Sequence, residues 1–421
     1  SHAGDGTRPP TPADAPWLVE AIHHLVAAGD VDEAWERCTE HYRVIASAGL
    51  DHLLLDDLRA LADAVDDARD AIALMQVRIL VRRSLIAQAA DVLGRLSPGA
   101  RGTLRALRLT GEVAQRRGRL SEAAAIYRQA RALAESPAER FGVALEEADI
   151  IALRGHGEQA RALLDAALQD HADVTPRERA RWGWSLALSY LIEERFADSV
   201  LAIDNALAAI HGAGLEDLEV ILVMLAVLGR AECDELGTAE QLLEKVEKAA
   251  AGGALREHVG ALYAGVVGQA AGDLATAQRQ LERAYGYLTD HGDQVMASIA
   301  GYYLARVFVA LGDIPAAIEM AGRMSRMAQA AELDTLAAHG RATQAEALLI
   351  AGRSPEARVQ AEAALAGPWI GAQGWRIANA TLGRISVLDG DLGQARRFLD
   401  AAERGPGAGA SASASAGAGA Q

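Results

Sequence analysis

Residues 265–284 read GVVGQAAGDLATAQRQLERA. Two helix-forming runs flank Gly272, a residue that tolerates the left-handed conformation in which helices end. Five positions on, Ala277 is small, so a second helix can lie close against the first. Gly265, seven before the turn, and Ala284, twelve after it, are small as well. Leu281, nine after, is a larger wedge. The stretch reads as two antiparallel helices joined by a tight turn.

The same turn recurs along the chain, as Gly118…Ala123, Gly155…Ala160, Gly312…Ala317, Gly352…Ala357 and Gly390…Ala395. Two further units, Glu194…Ser199 and Asp234…Ala239, keep the small residue but lose the glycine. The turns at 118, 155, 194, 234, 272, 312, 352 and 390 are separated by 37, 39, 40, 38, 40, 40 and 38 residues. Seven before each turn stand Gly111, Ala148, Ala187, Val227, Gly265, Ala305, Ala345 and Gly383. Nine after come Tyr127, Leu164, Ile203, Leu243, Leu281, Ala321, Ala361 and Leu399. A fixed period of this kind marks stacked helical units.

These columns resemble the tetratricopeptide signature, with a period of about 39 in place of about 34. The resemblance covers residues 103–403. It implies an all-α, right-handed superhelical solenoid of about ten helical hairpins, with at least 18 helices. The longer period is similar to that of the sensor solenoids of STAND-class signalling ATPases, including the maltose-responsive activator. Residues 17–102 are helical but less regular, with one full turn at Gly29…Ala34 and a weaker one at Ser84…Ala89. The segment EAIHHLVAAGDVDEA (residues 20–34) resembles the opening of the helical arm in those regulators. Residues 1–16 and 404–421 read as a disordered lead-in or tag remnant and a Gly/Ala/Ser tail or linker.

Composition fits this picture. The 421 residues are 51% hydrophobic but only 4% aromatic, a mix that favours helices over strands. A net charge of −16 opposes binding to phosphate backbones, so no direct nucleic-acid role is expected. No uninterrupted apolar run reaches the roughly 18 residues of a membrane span. Cys38 and Cys233 are too few and too far apart for a disulfide framework, which suits a cytoplasmic protein.

Nothing in the chain carries the motifs of catalysis, and no cofactor is implied. The Gly-x-x-x-x-Gly-Lys-Ser/Thr, Gly-x-Ser-x-Gly and His-Glu-x-x-His patterns are all absent. His23, His24, Cys38 and His41 lie close in sequence, but their spacing is not that of a zinc site. Cys38 falls in the packing column nine after Gly29 and reads as a core residue, so no metal is expected.

In the tetratricopeptide register the first helix of each hairpin lines a concave face. The resemblance therefore implies a ligand or partner site at Arg181, Trp184, Met224, Glu232, Tyr302, Arg306, His339, Glu346 and Arg384, with Arg108, Glu112, Arg116 and Asp149 also facing inward. Tyr302, Arg306 and their neighbours are expected to serve a ligand and to contribute little to stability. The arginines favour a peptide or an acidic metabolite. The implied function is a sensor domain that binds a protein, peptide or small molecule in its groove and couples to the ATPase module of a parent protein. The alternative is a stand-alone adaptor. A nucleotide-binding loop upstream in the natural reading frame selects the first.

Overall fold

The structure is a computed structural model, and it describes residues 10–171, 173–250, 254–367 and 371–405. Among them are 22 α-helices, three short 3₁₀ turns and no strand. The lead-in at 1–9 and the tail at 406–421 lie outside the described residues. Helical structure already begins at Pro12, inside the stretch expected to be unstructured.

The first hairpin is α1 (Ala15–Ala28) and α2 (Val31–Ser47). A bridging helix, α3 (Leu55–Ala64), leads to the second, α4 (Arg69–Arg82) and α5 (Ile86–Leu93). After the single turn α6 (Pro98–Arg101) comes the regular array. Its first four hairpins are α7/α8 (Leu104–Arg116, Leu120–Leu133), α9/α10 (Pro137–Leu153, Gly157–Asp170), α11/α12 (Pro176–Ile192, Phe196–Ile210) and α13/α14 (Glu216–Glu232, Leu236–Ala250). The last four are α15/α16 (Ala254–Ala270, Leu274–Asp290), α17/α18 (Gln294–Leu311, Ile314–Ala330), α19/α20 (Asp334–Ile350, Ser354–Leu365) and α21/α22 (Ala372–Leu388, Leu392–Arg404).

Local sequence explains the helix boundaries. Ser136-Pro137 and Thr175-Pro176 start α9 and α11, each with a glutamate three residues after the cap that closes a capping box. At the other end, all seven turn glycines, Gly29 included, take positive φ. So do Ser84, Glu194 and Asp234, which stand where glycine is missing.

The columns are where the two helices of a hairpin touch. A Cβ added to Gly111 would lie 2.5 Å from the Tyr127 ring, and one on Gly265 would lie 2.5 Å from Leu281. The glycine seven before a turn thus makes room for the wedge nine after it. Ala123, Ala160, Ala239, Ala277, Ala317 and Ala357 are fully buried at the helix crossings. The last unit differs. The wedge column is buried at Tyr127, Leu164, Ile203, Leu281, Ala321 and Ala361, whereas Leu399 is 43% exposed beside Leu392 at 69%. No further hairpin covers that end among the described residues.

The array winds tightly enough for distant units to meet. The α7 helix touches α17, and α2 touches α13. The Ala87 amide donates to the His291 carbonyl at 3.1 Å, and the Tyr287 hydroxyl donates to the Arg83 carbonyl at 2.9 Å. Arg116 bridges Ser84 Oγ, at 2.7 Å, and the fully buried Asp293, its Nε lying 2.8 Å from Oδ2. Ser121 Oγ donates to Glu332 at 2.7 Å, and Arg154 meets the same carboxylate at 3.3 Å. The superhelix closes on itself around a lumen.

One helix, α17, is long and apolar enough to cross a membrane, but 61% of it is buried inside the protein. It is interrupted by Arg306 and forms one wall of the lumen, so its hydropathy is that of a core helix.

Candidate functional site

The first helices of the hairpins face one another across the lumen. Between them lies a half-open cavity of about 110 Å³. One wall carries Leu153 of α9, Leu191 and Ile192 of α11, Phe196 of α12 and Leu228 of α13. The facing wall carries Val295 and Ile299 of α17 with Leu333 and Leu336 at the start of α19. The polar groups gather at one end, as Glu194, Glu232, Tyr302, Tyr303, Thr335, His339 and Gln373.

These polar groups hold each other in place. Tyr302 stacks on His339 with ring centroids 5.3 Å apart and donates to Gln373 Oε1 at 2.7 Å. His339 Nε2 lies 2.9 Å from Glu194 Oε1, within ion-pair range but without a well-directed hydrogen bond. The Gln373 amide donates to the other Glu194 oxygen at 2.6 Å. Arg306 reaches Glu232 at 3.1 Å and lies over the Tyr302 and Tyr303 rings. Burial pushes the Tyr302 hydroxyl well above its ordinary pKa. For Glu194, burial raises the pKa, but His339 and the Gln373 N–H outweigh it and hold the carboxyl below its usual range. For Arg306, burial lowers the pKa, and the neighbouring Tyr302 and Glu232 outweigh it upward.

Of the residues expected to form the site, Glu232, Tyr302 and His339 line the cavity and Arg306 stands directly behind them. The others lie apart. Arg181 stacks over Trp184 at 4.7 Å near the start of α11 and pairs with the buried Asp149 at 3.2 Å. Met224 packs into the largest core cluster. Glu346 is half-buried, with burial raising its pKa against Arg384 and Arg306, and Arg384 is exposed. Closure of the superhelix thus replaces the single continuous wall with a half-open cavity and separate flanking groups.

Three expectations change. Tyr302 and His339 are 7% and 6% exposed and tie distant units together, so they belong to the fold as much as to a site. Four of the inner arginines do not offer themselves to an acidic ligand, whereas Arg384 is exposed. Arg108 pairs with Glu146, Arg116 with Asp293, Arg181 with Asp149 and Arg306 with Glu232. The cavity is also completed by Glu194 and Gln373, neither of which lies in the inner-helix register. Glu194 occupies a turn, and its only sequence signal is the missing glycine.

Near the N-terminus, Cys38 is fully buried in a core cluster and His23 pairs with Asp57 at 3.0 Å. Among the described residues no group of three His, Cys, Asp or Glu side chains is placed to hold a metal.

The Gly111–Tyr127 and Gly265–Leu281 contacts, repeated hairpin after hairpin around a concave lumen, decide the fold. It is the tetratricopeptide-repeat solenoid. No family model and no curated protein matches the chain. Solved tetratricopeptide-type structures are similar in fold. Human IFIT1 is 15% identical, with 83% of this chain and 80% of that one covered and a TM-score of 0.49. A Rap protein complexed with competence and sporulation factor is 14% identical over 93% of this chain and 97% of that one, with a TM-score of 0.45. A STAND protein with a tetratricopeptide sensor from Pyrococcus horikoshii is 15% identical over 82% of this chain and 54% of that one, with a TM-score of 0.40. At these identities the likeness is one of solenoid architecture.

Proposed function

We propose that this solenoid is a binding module, not an enzyme, and that it holds a small molecule or short peptide segment in its lumen. The observation that carries the reading is the cavity itself, apolar on both walls and polar at one end. An apolar lining with a few convergent polar groups is typical of ligand sites. Its two walls come from units far apart in sequence, Leu191 and Leu228 on one side and Val295 and Ile299 on the other. Occupancy therefore bears on how tightly the superhelix closes, which suits a sensor. The stretch at residues 20–34 supports an assignment to the sensor arm of a signalling ATPase, with the ATPase module of the parent protein as its partner.

Nile red, a neutral apolar dye, tests the cavity. Saturable fluorescence enhancement is expected with the wild-type chain. It should be lost in Ile299→Trp and in Leu336→Trp, which fill the cavity from α17 and α19, while circular dichroism stays helical. Equal dye binding by all three proteins would refute a lumen site.

A second reading, the adaptor, is favoured by exposed leucines on α22. Leu392 and Leu399 are 69% and 43% exposed, whereas the matching Ile314 is half-buried and Leu281 fully buried. A partner's helical hairpin stacking as the next unit is the occupant this face fits. Under the adaptor reading, Leu392→Lys with Leu399→Lys abolishes capture of that partner. Under the sensor reading it leaves dye binding unchanged.

A further inference from the structure

We propose that the lumen cavity selects an amphipathic ligand with an apolar body and a protonated amine head, and that it discriminates against carboxylate and phosphate heads. The inference rests on the lumen being a ligand site and adds the chemistry that the site reads.

The apolar body follows from the walls, where Leu153, Leu191, Val295 and Ile299 offer only hydrocarbon. Burying a chain there removes apolar surface from water at about 25 cal/mol per Å². The head follows from the charges at the polar end. Two carboxylates, Glu194 and Glu232, line the cavity, and no arginine or lysine does. Arg306 sits behind the wall and pairs with Glu232 at 3.1 Å, and Arg376 stands outside the lining but near enough to Glu194 to lower its pKa. The Tyr302 hydroxyl donates to Gln373.

An anionic head would thus lose its water beside two acids and meet no arginine or lysine among the lining side chains, an arrangement that disfavours binding. An ammonium faces the opposite balance. Each ionised carboxylate has about four acceptor sites. Glu194 uses its oxygens on His339 and the Gln373 N–H, and Glu232 one of its own on Arg306, so acceptor capacity remains on both. Charge-assisted N–H···O bonds to such acceptors are about twice as strong as neutral ones. The chain's overall charge of −16 adds attraction for cations at long range.

Decylamine, decanol and decanoate share one apolar chain and differ only in the head. Isothermal titration at pH 7 and moderate salt should give the order decylamine, decanol, decanoate, with at least a tenfold gap between the first and the last. Glu232→Gln, which keeps the shape and removes the charge, should narrow that gap severalfold, and an unchanged gap would overturn the head-group assignment. Decanoate binding as tightly as decylamine would overturn the head-group assignment while leaving the cavity reading intact. Decylamine binding that persists in both Ile299→Trp and Leu336→Trp would be surface attraction and would also overturn it. If none of the three compounds binds the wild-type chain, the cavity reading itself fails and the head-group assignment falls with it.

Discussion

The turn at Gly312 and the turn at Glu194 occupy the same place in their hairpins, yet they do different work. Gly312 has φ +78° and open space around it, since an added Cβ would meet nothing within 4 Å. It ends a helix and does no more. Glu194 adopts the same left-handed conformation, φ +57°, which is unfavourable for a residue with a Cβ. Its carboxylate crosses the lumen to His339 and to the Gln373 amide. Ser84 repeats the arrangement, with φ +54° and its hydroxyl accepting from Arg116. At Glu194 the side chain that replaces glycine joins two distant units, and at Ser84 it holds the neighbouring Arg116, which goes on to reach Asp293. A regular solenoid is held by neighbours alone; this one is also held across its lumen.

The largest expected effect lies in the neighbour packing that both kinds of turn share. Ala277 is fully buried where α15 and α16 cross. Ala277→Leu forces extra carbons between them and should destabilise by about 3 kcal/mol, at the upper end of overpacking costs. Thermal melting of this variant checks the column assignment, and a parent-like melt would break it.

The next effect separates the two turns. Glu194→Gly restores the consensus and relieves about 1 kcal/mol of backbone strain. It also leaves His339 and the Gln373 N–H buried without their acceptor, at about 3 kcal/mol. A net loss of about 2 kcal/mol in urea unfolding is expected. Gly312→Ala should cost only about 1 kcal/mol, from φ alone. If Glu194→Gly stabilises the chain, the cross-lumen contact contributes nothing.

A smaller effect is a pH dependence of opposite sign at two lumen acids. Burial raises the Asp149 carboxyl to about 6 despite Arg181. Between pH 6 and about 4 the folded state therefore holds a proton that the unfolded chain lacks, so this group adds stability as pH falls through 6. Glu194 is held below its usual range, so its contribution is present above about pH 4.3 and is lost as pH falls through its lower folded value. Asp149→Asn should abolish the gain on going from pH 7 to pH 5, and Glu194→Gln should leave that gain in place. Melting temperatures across this range distinguish the two.

The same contrast explains what the sequence disclosed. Everything set by contacts within a hairpin was legible. The Gly111–Tyr127 and Gly265–Leu281 columns and the turn positions follow from short, repeated spacings. The closure was not legible, because its partners are too distant for any period to relate them. Arg116 and Asp293 are 177 residues apart, and Ser121 and Glu332 are 211 apart. Without those partners the inner arginines looked available to an acidic ligand, and Tyr302 looked dispensable to the fold. The one available signal was the loss of glycine at Ser84 and Glu194. It marks candidates only, since Asp234 takes the same backbone conformation and stays exposed.

Closure of the superhelix is the claim on which the cavity depends, and a cross-link tests it most directly. A Cβ on Gly292 would lie 3.6 Å from the Ala87 Cβ, within the range that a disulfide spans. Ala87→Cys with Gly292→Cys, in a Cys38→Ala and Cys233→Ser background, should oxidise to an intramolecular disulfide in nearly every monomer and retain Nile red binding. Free thiols after mild oxidation, or disulfides only between separate chains, would show that the two ends of this contact do not meet and that the lumen is open.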